Sequence, residues 1–181
     1  MTDPVLLAGK RVAILVEDEY EDRELIEPLD ALRAAGATVT IVGPTFGTEF
    51  HGRRGHVVTA DVAADAVCID AFDAIVVPGG HAPDKMRMRH AMVDLVGDAM
   101  EAGKPVAAIC KGPQVLISAN ALRGRTLTCW PSIAIDVKNA GGLYVNKPLV
   151  EDRNLITSRK PDDLPVFCEA IIRALSRAQV R

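Results

Sequence analysis

Four short stretches constrain the fold more than anything else in this chain. They are RVAILV (11–16), TVTIVG (38–43), DAIVVPGG (73–80) and PVAAI (105–109). Each is largely apolar, and most are dominated by Val, Ile and Ala rather than by a strict apolar–polar alternation. A strand with one wet face alternates; a strand buried on both faces does not. Between the stretches lie helical patterns. One helix is predicted from Pro28 to Ala35, with proline in its first turn and Gly36 as the C-terminal cap. Ala91, Met92, Leu95, Val96, Ala99 and Met100 share one face of a second helix over 91–102. A third runs from Gly112 to Asn120. Leu164, Phe167, Cys168, Ile171, Ile172 and Leu175 form the stripe of the last. Buried strands alternating with amphipathic helices predict a mainly parallel sheet between two helix layers, a three-layer α/β domain. Residues 44–60 read as a loop with a possible hairpin.

Length and charge narrow the function. A chain of 181 residues with 49% hydrophobic composition fits one domain, taken here as 1–181. A net charge of −3 with no long basic run argues against a nucleic-acid partner. No segment approaches the ~18 consecutive apolar residues of a membrane span. The N-terminal MTDPVLLAGKR lacks the basic lead-in and apolar length of a signal peptide, so a cytoplasmic location with reduced thiols is expected. Cys68, Cys110, Cys129 and Cys168 form no CxxC pair and no metal-ligand spacing. No zinc site, disulfide framework or organic cofactor is indicated.

In open α/β sheets chemistry collects beyond the C-terminal strand ends. Three loops are predicted there: EDEYEDRE, PGGHAPD and CKGP. The run AICKG has the form small–x–nucleophile–x–small of a nucleophile elbow, with Cys110 in the serine position. A sharp strand-to-helix turn crowds the residues two places away, and Ala108 and Gly112 are small. Such a turn exposes the sulfur at a helix N-terminus, where free N–H groups favour a thiolate and can hold an oxyanion. By position alone the reading of Cys110 as a buried structural cysteine comes first, since free cysteine is among the most buried residue types.

The stretches EYEDREL (19–25), VVPGGHAPD (76–84), GKPVAAICKGPQVLISANALRGR (103–125) and TSRKPDDL (157–164) together resemble the DJ-1/PfpI superfamily, in its PfpI-like branch. The resemblance implies a flavodoxin-like sandwich and a homodimer or higher homo-oligomer. It implies a stress-response protein acting through Cys110, by redox sensing or by glyoxalase- or deglycase-type chemistry on small reactive carbonyls or oxidants. It assigns Glu21 as the acid facing the sulfur, kept protonated by burial. It assigns the backbone N–H groups of Gly80 and Lys111 as oxyanion donors, and Asp84 as an acid contributed to a neighbouring subunit. Peptidase-like members carry histidine directly after the cysteine, where this chain has Lys111. A lysine, with a pKa near ~10, does not shuttle protons at neutral pH as a histidine does. PfpI-type cysteine peptidase activity is therefore the alternative and not the leading expectation. His81, beside the PGG turn, is the histidine placed to substitute for the missing base. His51, His56 and His90 read as surface residues, Arg53–Arg54 as solvated or interfacial, Cys129 as half-buried and Cys168 as core.

Overall fold

The computed structural model describes residues 5–177. Along the chain run β1 (Arg11–Leu15), α1 (Asp22–Ala34), β2 (Thr38–Gly43), β3 (Glu49–His51), β4 (Val57–Thr59), β5 (Val62–Ala63) and β6 (Ala74–Val77). There follow α2 (Ala82–Met86), α3 (His90–Glu101), β7 (Val106–Ile109), α4 (Pro113–Ser118), β8 (Thr126–Leu127), α5 (Ala134–Asn139) and β9 (Leu143–Tyr144). The chain closes with β10 (Val150–Asp152), β11 (Leu155–Ser158) and α6 (Leu164–Arg177).

Seven strands form the main sheet in the order β10-β11-β7-β6-β1-β2-β5, and only the β10–β11 pair is antiparallel. The parallel centre is the flavodoxin-like arrangement that the sequence suggests. Every residue of β6 and β7 is buried, so successive side chains meet cover on both faces. α1 packs on α6, and both rest on the sheet; α3 packs with α4 against β6 and β7. The core is Val, Ile, Leu and Ala with few aromatics, of which Tyr20 and Phe167 are fully buried.

Two details differ from the sequence reading. α1 begins at Asp22, not at Pro28, so the last three residues of the stretch read as the loop EDEYEDRE are helix. Acids in a first turn suit the positive end of a helix. Pro28 lies inside, where its missing N–H leaves the Glu24 carbonyl without its usual intrahelical donor. The possible hairpin is real: β3 and β4 pair antiparallel, apart from the main sheet.

Candidate active site at the strand ends

Cys110 leaves β7 with φ of 60°, the left-handed conformation that non-glycine residues seldom adopt. Its backbone is pinned on both sides, donating to the Ser158 carbonyl (3.0 Å) and accepting from Trp130 N–H (2.8 Å). A Cβ on Gly112 would lie 2.5 Å from the Val77 carbonyl oxygen, so the small residue two places on is a steric requirement. The elbow expected from AICKG is present.

The loop after β6 closes over the sulfur. Tyr20 bridges to Gly80 on one side and to Gly52 on the other. His81 N–H donates to the Glu19 carbonyl (2.9 Å), and Glu21 N–H to that of Gly79 (3.2 Å). Gly80 has φ of 83°, and a Cβ there would meet Glu19 backbone at 2.5 Å. This zipper brings the Gly80 N–H to the sulfur, and the elbow brings that of Lys111. Both hydrogen-bond Cys110 and favour its ionised form.

The acid at the sulfur is Glu24, and this corrects the assignment of Glu21. Glu24 is fully buried, accepts from Gly79 N–H at 2.7 Å, and shares a hydrogen bond with Cys110. The reason is helical geometry. Glu24, Leu25, Pro28, Leu29 and Leu32 are all buried residues of α1, so Glu24 belongs to the inward stripe. Glu21 is the N-cap residue one turn earlier. It is also buried, 6% exposed, but turns toward Arg54 (3.4 Å) and Arg53 (3.9 Å). A periodicity count begun at Asp22 would have found Glu24, because it sets an acid on an apolar face.

The Gly79 environment supplies a prediction. An added Cβ would lie 2.5 Å from a Glu24 carboxyl oxygen and 2.7 Å from Cys110 Cβ. Gly79→Ala is expected to cost about 1–3 kcal/mol of stability by overpacking and to part the acid from the sulfur. Urea unfolding reads the first effect and the pH profile of Cys110 alkylation the second.

Burial dominates the electrostatics of this pair. It pushes the Glu24 carboxyl up to about 8, with Gly79 N–H opposing and Glu21 adding to the push. Glu24 therefore holds its proton through neutral pH, the property expected of Glu21. Burial likewise pushes the Cys110 thiol up to about 12, followed by the Glu24 charge, against the pull of the Gly80 and Lys111 N–H groups. This departs from the expected thiolate. The sulfur is half-buried, and hydrocarbon around it outweighs the local N–H groups.

A pocket of about 330 Å³ opens over the sulfur, with Glu21, Glu24, Arg53, Arg54, Lys111 and Trp130 in its wall. His81 also reaches it, but its ring is 50% exposed and lies 3.8 Å from Glu19, which Lys85 also pairs at 2.8 Å. Asp84 is exposed on α2 and outside this pocket. Arg53 and Arg54, read as solvated or interfacial, are exposed, and they also line the pocket. Their loop is stapled to the β1–α1 connection: Asp22 accepts from Arg54 N–H (2.9 Å) and His56 N–H (2.8 Å), and Arg53 N–H donates to the Tyr20 carbonyl (3.0 Å). His56 is not a free surface ring, since its Nδ1 meets the Tyr20 hydroxyl at 2.8 Å. Cys129 is fully buried rather than half-buried, Cys168 packs against the core and Cys68 is exposed. Among the described residues no cluster of His, Cys, Asp and Glu could hold a metal ion, and no helix is long and apolar enough to cross a membrane.

Comparison with known proteins places the chain by sequence and by fold. The chain is 45% identical to Protein/nucleic acid deglycase 2 of Escherichia coli over 169 residues, covering 92% of this chain and 98% of the relative. It is 41% identical to General stress protein 18 of Bacillus subtilis, covering 88% and 94%. Drosophila melanogaster DJ-1beta superposes with a TM-score of 0.86 at 32% identity, covering 92% of this chain and 90% of that one. A two-domain protein of Anabaena variabilis with DJ-1/ThiJ/PfpI-like and ferritin-like domains superposes at 0.91 with 46% identity; 94% of this chain matches 48% of that one. A family model described as DJ-1/PfpI family matches residues 10–174, and the chain belongs to that family.

Proposed function

We propose that this protein is a cysteine-dependent enzyme acting on small reactive carbonyls, of glyoxalase or deglycase type. The observation that carries the reading is the hydrogen-bonded contact of Cys110 with the buried Glu24 beside the Gly80 and Lys111 N–H donors, with burial raising the pKa of both acids. Two of the named relatives, a deglycase and a general stress protein, point the same way.

The chemistry suits a thiol that rests protonated. A carbonyl oxygen placed toward the Gly80 and Lys111 N–H groups is polarised as the sulfur approaches its carbon. One C–S bond forms, the C=O π bond becomes a C–O single bond, and the oxygen takes a proton. Glu24 delivers that proton while the thiol proton returns to Glu24. The adduct is a neutral hemithioacetal, and no free thiolate need accumulate. This relay needs no histidine after the cysteine, so Lys111 is no obstacle to it, whereas a peptidase mechanism loses its base there.

The test uses a Cys68→Ser background to remove the exposed competing thiol. Methylglyoxal turnover is expected to stop in proportion to Cys110 carboxamidomethylation, mapped by peptide mass spectrometry. Turnover that survives full modification of Cys110 defeats the reading. A second, redox reading rests on the same two N–H donors, which would also hold the oxygens of a sulfinate. In it, mild peroxide adds one or two oxygen atoms to Cys110 before the other thiols.

A further inference from the structure

The pocket that holds the sulfur is also lined by two arginines whose guanidinium hydrogen-bonding capacity is unspent. Arg53 and Arg54 are fixed by their backbones, through Tyr20 and Asp22. Among the described residues neither guanidinium donates a side-chain hydrogen bond, and their shared partner is Glu21 at 3.9 and 3.4 Å. Glu21 is itself buried, and its Oε1 has no hydrogen-bond partner. The three groups are thus held together by charge at the wall of a pocket without being closed into a hydrogen-bonded pair. Lys111 adds a third cation, and Glu24 adds no charge while it keeps its proton. The pocket therefore presents three cations against one buried carboxylate.

Resting on the carbonyl reading above, we propose that Arg53 and Arg54 form a carboxylate clamp, and that the substrates are small carbonyl compounds bearing a carboxylate, such as 2-oxo acids of aldehyde type. A carboxylate is planar and accepts two parallel N–H groups from a guanidinium fork. Glu21, on the same guanidinium groups, opposes a second negative charge, which favours a singly charged carboxylate over a phosphate. The arginines and Cys110 line the same cavity of about 330 Å³, so one small molecule can engage both. Addition then proceeds as above: the S–H bond and the C=O π bond break, the C–S and O–H bonds form, and the carbon keeps its oxidation level, so no co-reactant is consumed.

Two measurements test the clamp separately from the chemistry. The first compares alkylation of Cys110 by iodoacetate and iodoacetamide, in each case normalised to glutathione. The ratio cancels any change in thiol acidity. It is expected to exceed that of glutathione by about 10-fold or more, and to fall about 10-fold with each of Arg53→Gln and Arg54→Gln, the worth of a charge-assisted hydrogen bond. A ratio equal to that of glutathione, or one unmoved in the double variant, overturns the proposal. The second needs no reactive thiol. Trp130 is the chain's one tryptophan and lines the pocket, so its fluorescence reports occupancy. Glycolate is expected to saturate this signal in the wild-type protein and not in the double variant, with glycolamide silent in both. Tighter binding of inorganic phosphate than of glycolate, or equal binding of glycolate and glycolamide, defeats the clamp. Saturable, arginine-dependent glycolate binding beside an inert Cys110 would uphold the clamp and remove the carbonyl chemistry instead.

Discussion

Glu24→Gln is expected to lower methylglyoxal turnover by about 10²–10⁴-fold, the usual worth of a positioned acid–base group. The amide can still accept from Gly79 N–H and donate to the sulfur, so the pocket keeps its shape. It cannot release a proton and take one back. Alkylation of Cys110 should therefore persist, with the inflection due to Glu24 missing from its pH profile, while turnover is lost. Glu21→Gln is the control, because its carboxyl faces Arg53 and Arg54 and not the sulfur. It should reduce turnover far less. A larger loss from Glu21→Gln than from Glu24→Gln would restore the sequence assignment and refute the structural one.

The same substitution should stabilise the protein. The Glu24 pKa rises from 4.5 to about 8 on folding, chiefly through burial. A raised folded value means that the stability is complete below pH 4.5 and is lost as pH climbs through 8, because the unfolded chain ionises first. At pH 7 the loss is about 3 kcal/mol, from ~1.4 kcal/mol per pKa unit. Glutamine has no proton to lose, so Glu24→Gln should be more stable by about 2–3 kcal/mol at neutral pH, and the difference should vanish below pH 4.5. For a chain of this size that is an upward Tm shift of roughly 5–10 °C. Urea midpoints at pH 4.5 and 7.5 decide it. Parallel pH dependence in both proteins would show that Glu24 titrates near its ordinary value. Loss of turnover with gain of stability in one variant is the mark of a group kept for chemistry at a cost to the fold.

Why the elbow was legible and its acid was not follows from the range of each constraint. The elbow is local: a left-handed Cys110 demands small neighbours, and Ala108 and Gly112 satisfy that within five residues. The strands were legible because β6 and β7 are buried on both faces and lack alternation. The acid depends on where α1 begins, and Pro28 was taken for its first turn. The chain instead starts the helix at Asp22 and carries the proline inside it. Glu21 was assigned by the family resemblance, and with the helix read from Pro28 there was no apolar stripe through Glu24 to set against it. Arg53 and Arg54 reach the pocket through contacts with Tyr20 and Asp22, more than thirty residues earlier, which no local pattern announces. The raised thiol pKa is equally hidden from a local reading, since its main cause is burial in the folded chain.

The β3–β4 ribbon has no strand in common with the main sheet, yet its tip carries both arginines. The groups that make and break bonds come from the other layer of construction, the ends of β7 and β6 and the first turn of α1. In the proposed mechanism, reagent choice and reactivity are thereby housed in separable parts. Descendants of such a chain can rewrite the ribbon tip, and with it the compounds admitted, while the sulfur, its acid and its two amides stay in register.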